Sequence, residues 1–145
     1  MSFGRYSFGK VSFGGAVGVK IDVAPETYDF GSLGAGATAE TGLDYFTLVN
    51  NSYFAVDVYI KGTDMTGGIP WTLADDGNPG SDIVALKAGL EGGSYNIIMK
   101  KSEPFNTLVE ALAGEQKWGL KIYAPTEFSD GIEKSGTVTL TAVAS

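Results

Sequence analysis

The chain has 145 residues, 17 of them acidic and 10 basic, for a formal net charge of −7, and it contains neither histidine nor cysteine. Those absences remove disulfides, zinc thiolates, cysteine nucleophiles, the commonest general base and the commonest transition-metal ligand, so no enzymatic activity and no cofactor are expected. An acidic surface repels phosphate backbones, and no basic run longer than Lys100-Lys101 interrupts it, so nucleic acid is not an expected partner.

This length suits one domain, burying roughly 68–70% of the surface its unfolded chain exposes. No apolar run approaches the ~18 residues of a membrane span, so no membrane association is expected. Twenty-one glycines beside 12% aromatic residues indicate short strands joined by tight turns rather than disorder.

The first twenty residues repeat Ser-Phe-Gly three times, at Ser2, Ser7 and Ser12. Glycine and serine every few residues deny this stretch a helix or a core of its own. It reads as an extended assembly arm, residues 1–20, laying aromatic anchors on a neighbouring surface. The expected contacts are Phe3, Tyr6, Phe8, Phe13, Val17, Val19 and Ile21. No continuous apolar segment follows Arg5 and Lys10, so the arm does not read as a secretion signal.

Residues 21–145 read as the folded body. Val17 to Val23 alternates, Pro25 stops it, and Tyr28, Phe30 and Leu33 continue the period of two. Leu43 to Val49 is a strand ended by Asn50-Asn51-Ser52. Phe54, Val56, Val58 and Ile60 then share one face of the cleanest alternation in the chain. Trp71 to Leu73, Ile83 to Leu86 and Tyr95 to Met99 are shorter strands. One helix is predicted over Pro104 to Leu112, because Phe105, Leu108, Val109 and Leu112 fall at i, i+3, i+4 and i+7. Ser102 would cap it and Gly114 would close it. Trp118 to Tyr123 and Gly136 to Val143 complete the strands. The expected fold is all-β: an antiparallel immunoglobulin-like or jelly-roll β-sandwich with one short helix and an extended N-terminal arm.

Tyr28-Asp29-Phe30-Gly31-Ser32-Leu33, a Gly-rich turn, Phe46 to Ser52 and the closing hairpin Leu120 to Thr141 resemble the immunoglobulin-like sandwich modules of bacterial and viral structural and surface proteins. The resemblance covers roughly residues 21–144, by pattern more than identity. It implies a fold and a structural setting, and it carries no catalytic residues.

Two clusters invite a chemical reading. The loop Asp75, Asp76, Asn78 and Asp82 offers the oxygens calcium wants, but its spacing is not that of an EF-hand, and an exposed turn selects the same residues. Trp71, Trp118, Tyr53 and Tyr59 suit a sugar-stacking platform, although both tryptophans equally suit the core. Tyr45, Tyr53 and Tyr59 are expected to be partly exposed and to touch another subunit. The leading expectation is a non-enzymatic virion protein, a capsid decoration or auxiliary subunit. Its partners would be copies of itself and a major capsid or other structural protein. The alternatives are a subunit of an extracellular filament or surface layer built by strand complementation, and a carbohydrate-binding module.

Overall fold

The computed structural model describes residues 2–13 as backbone and residues 19–101 and 106–145 in full. In chain order the strands are β1 (Ser2–Phe13), β2 (Ile21–Ala24), β3 (Thr27–Leu33), β4 (Thr38–Glu40), β5 (Phe46–Asn50) and β6 (Val56–Gly62), followed by β7 (Thr72–Leu73), β8 (Ile83–Leu90), β9 (Ile97–Ile98), β10 (Asn106–Leu112), β11 (Glu115–Tyr123) and β12 (Lys134–Ala144). They form two sheets, one curled into a half-barrel. One sheet runs β10-β6-β12-β1-β3; the other runs β2-β5-β11-β8-β7, with β4 on β11 and β9 on β8. This is a β-sandwich without features specific to immunoglobulin-like modules.

Alternation builds the core where it is strict. Val56, Val58 and Ile60 on β6 are buried, as are Val138, Leu140 and Ala142 on the neighbouring β12. In the other sheet Phe46 and Leu48 of β5 are buried beside Trp118 and Leu120 of the neighbouring β11, with the Phe46 and Trp118 rings 4.6 Å apart. Fully burying such side chains stabilises a fold by roughly 1.5–3 kcal/mol each. One close approach requires glycine: a Cβ on Gly119 of β11 would lie 1.9 Å from the Gly42 carbonyl oxygen.

The predicted helix is corrected. No helix occurs among the described residues, and Asn106–Leu112 is β10, an edge strand against β6. Two bulges explain the misleading spacing. Thr107 and Val109 stand opposite the adjacent Tyr59 and Val58, and three steps from Val109 to Leu112 match two on β6. Each extra residue delays the return to the buried face, so Leu108 and Leu112 are buried four apart, as in a helix. Ala111 takes the left-handed conformation (φ 47°) in the second bulge, where its N–H donates to Asp57 Oδ1 at 2.9 Å. Ser102, Pro104 and Phe105 lie outside the described residues.

The sandwich is also not purely antiparallel. β1 lies parallel to β12, and β7 lies parallel to β8.

Candidate assembly interface

The glycine-rich segment expected to be an arm contributes β1, between β12 and β3 of its own sheet. On one side its register runs from Gly4 opposite Lys134 to Phe13 opposite Ala142. On the other, Ser2 to Ser7 lie opposite Leu33 to Thr27. An extra β3 residue is absorbed near Gly31 (φ 74°), whose N–H donates to Asp29 Oδ1 at 2.8 Å. Among the described residues, β3 has no other neighbour in this sheet, so β1 alone joins it to β12. From Phe8 onward the β3 side of β1 has no registered partner among them. A strand edge of this kind is a template for another chain.

The two ends of this slot are built differently. At the end where β1 begins, Lys134 is fully buried beneath Trp71, its ammonium 5.8 Å from the ring centroid, and it pairs with Asp130. Trp71 in turn stacks on Phe128 at 5.1 Å. Asp130 accepts hydrogen bonds from the backbone N–H groups of Ile69 (2.6 Å) and Ile132 (3.1 Å). Chiefly the Ile69 N–H, and then Lys134 and the Ile132 N–H, hold its carboxyl down at about 2. Thr66 and Ser135 exchange backbone bonds of 2.8 and 2.9 Å, and the Thr137 N–H donates to Thr63 Oγ1 at 2.9 Å. The β12 wall of the slot is therefore fixed by contacts that do not involve β1.

At the opposite end the organiser is Asn50, which is buried. Its Nδ2 donates to the carbonyls of Phe54 (2.8 Å) and Leu112 (2.7 Å), and its Oδ1 accepts the Ser52 N–H at 2.8 Å. The turn it holds also receives the chain returning toward β2. The Lys20 N–H donates to Ser52 Oγ at 2.7 Å, and the Asn51 N–H donates to the Lys20 carbonyl at 2.8 Å. Tyr53 stands fully exposed at this tip, beside Phe54, which is 38% exposed although the alternation pointed it inward.

Of the expected contacts, Phe3, Tyr6 and Phe13 hold registered positions on β1, opposite Ser32, Gly136 and Ala142 respectively. Phe8 lies at the register shift between Ser7 and Lys10. Val17 is outside the described residues. Val19 and Ile21 are in this chain's own core, 7% and 2% exposed.

The acidic loop spends its oxygens locally. Asp75 Oδ1 accepts the Lys101 N–H at 2.9 Å, and Asp76 Oδ1 accepts the Asn78 N–H at 3.0 Å, which holds the Asp76 carboxyl below its ordinary value. Asp82 takes the Ser129 N–H at 2.8 Å and the Ser129 hydroxyl. Among the described residues no three acidic side chains converge as metal ligands. Beside the loop lies a shallow cleft of about 420 Å³, bounded by Leu73, Asp75, Asp76 and Lys101. Trp71 and Trp118 are both wholly buried, so neither offers a face to a sugar. Tyr45 is partly exposed and meets Tyr28 and Phe46 edge to face at 4.9 Å each, while Tyr59 is half-buried on β6.

Sequence reading missed Asn50 and Lys134. Asn50 reads as one of two turn asparagines, and Lys134 falls between the last two predicted strands. The one available signal is that Lys134 occupies the even-numbered face shared with Val138, Leu140 and Ala142. Comparison with known protein families and with characterised proteins finds no match to this chain.

Proposed function

We propose that this protein is a non-enzymatic structural subunit, joined to copies of itself by β1 of one copy completing the sheet of another. The observation that carries this reading is that, among the described residues, β1 alone links β3 to β12 in this sheet, and that five residues separate Phe13 at its end from Val19 in the core. Such a strand can be supplied by any copy at little cost in contacts. This favours strand complementation between copies of the chain, without requiring a filament or surface layer, over a capsid decoration subunit, whose arm would anchor on a foreign shell. It also disfavours the carbohydrate-binding reading, which needs an accessible Trp71. Kinship with immunoglobulin-like structural modules belongs to the same proposal and rests on the segments Tyr28 to Leu33 and Phe46 to Ser52.

The test is removal of residues 1–15, followed by addition of a synthetic peptide of that sequence. The shortened chain is expected to lose self-association and to bind the peptide one to one, with a rise in melting temperature. Unchanged association without residues 1–15, or a peptide that does not bind, overturns the reading.

A further inference from the structure

Resting on that reading, the path of the chain decides what kind of assembly an exchanged strand makes. β1 ends at Phe13, opposite Ala142, and Ala142 to Ala144 stand opposite Val58 to Val56. Phe13 therefore leaves the sheet at the end bearing the Tyr53-Phe54 turn. The body resumes at that same end, where Lys20 is bonded to Asn51 and Ser52 and Ile21 stands opposite Asn50.

Phe13 and Val19 are six Cα steps apart, a reach of at most about 20–22 Å. β1 itself has twelve residues and spans roughly 36–40 Å. The tether is too short to run the length of a neighbour. A strand keeping its polarity and register must therefore enter its neighbour at the end from which it leaves its own body. Head-to-tail stacking would need the strand to enter from the opposite end. It would then lie antiparallel to β12 and parallel to β3, the reverse of both observed pairings.

We infer that exchange of β1 makes a reciprocal, two-fold pair of this chain, joined end to end through the Tyr53-Phe54 turns. Each copy donates its strand to the copy from which it receives one, so no slot remains and the assembly stops at two. The same end carries what such a contact needs. Tyr53 is fully exposed and Phe54 is 38% exposed, a pair of rings that a two-fold axis sets against their own copies. The stretch of β1 from Phe8 to Phe13, open on its β3 side among the described residues, emerges there too.

The experiment uses the full chain, which has no native cysteine. Ser12→Cys with Thr141→Cys places two thiols at registered positions on β1 and β12, neighbouring strands about 5 Å apart and within disulfide range. Ser7→Cys with Thr137→Cys repeats the pair nearer the other end. After oxidation and denaturing electrophoresis, both variants are expected to run as a covalent dimer and nothing larger. Light scattering on the unmodified chain is expected to give a two-chain mass. Replacing Tyr53 and Phe54 with serine is expected to raise the dissociation constant at least tenfold. A ladder of higher species overturns the reciprocal pair while leaving strand exchange standing. Internally linked monomers together with a one-chain mass overturn both. A dimer indifferent to the serine replacements overturns the placement of its contact at this end.

Discussion

Lys134 is a cation buried at the start of β12, and what holds it there is a shared set of contacts rather than an isolated ion pair. Asp130 answers the ammonium while two backbone N–H groups occupy the carboxylate, and the Trp71 ring covers the side chain. Burying the ammonium offsets much of its attraction to Asp130, and the carboxylate left behind keeps two backbone N–H donors and access to solvent, so Lys134→Met is expected to stay within about 1 kcal/mol of the parent or exceed it in thermal unfolding. Asp130→Ala is expected to do worse than Lys134→Met, because it strands the ammonium. The ordinary carboxyl value of 3.8 falls to about 2 in the folded state. The stabilisation is thus fully present above about pH 4 and is lost as pH falls toward 2. Asp130→Asn should flatten that part of the stability profile, measured by denaturant titration at each pH. Gly119→Ala is a steric test: its Cβ would overlap the Gly42 carbonyl, and a loss upwards of about 2 kcal/mol is expected.

At the scale of elements, β6 and β12 were legible because apolar residues recur at every second position along most of each, and the two strands pair with each other without interruption. β10 was not. Its two bulges spread the buried residues to a helical spacing, and nothing local distinguishes a doubly bulged edge strand from two turns of helix. Ala111 records the cost, since a Cβ in the left-handed region is disfavoured by roughly 1–2 kcal/mol. Ala111→Gly is therefore expected to raise the unfolding midpoint, by up to about 1 kcal/mol once the greater freedom of glycine in the unfolded chain is counted. A lower midpoint would mean that the Asp57 bond to this N–H does not hold the bulge in place. Asn50 illustrates the opposite problem: its identity suggested a turn, correctly, but its clamp on Leu112 joins residues 62 apart.

For the whole molecule, the decisive feature is that a strand at one end of the chain sits inside a sheet rather than beside it. Removing it separates β3 from β12 and exposes two rows of backbone groups, a state that favours recapture by any available copy of β1. Both partners in such a pair carry a net charge of −7, so their long-range repulsion opposes association. Raising salt from about 10 mM to about 150 mM shortens the screening length from roughly 30 Å to 8 Å. Self-association should strengthen several-fold over that range in sedimentation experiments. Weakening with salt would point instead to attraction between opposite charges at the contact.

Composition and the period of two pointed by themselves to a chain made mostly of strands around one apolar core, while the spacing over 104–112 suggested a helix where the structure has β10. They also indicated that the N-terminal repeat has no core of its own. Both properties are local: alternation assigns each side chain to a face, and Ser-Phe-Gly repeats cannot bury themselves. Only the tertiary structure decided which surface takes that segment, that 106–112 is a strand, and that Lys134 points inward. Each of these depends on pairing between residues far apart in the chain. Such pairing is set by which sheet edges remain open once the rest has packed, and no short stretch of sequence records it.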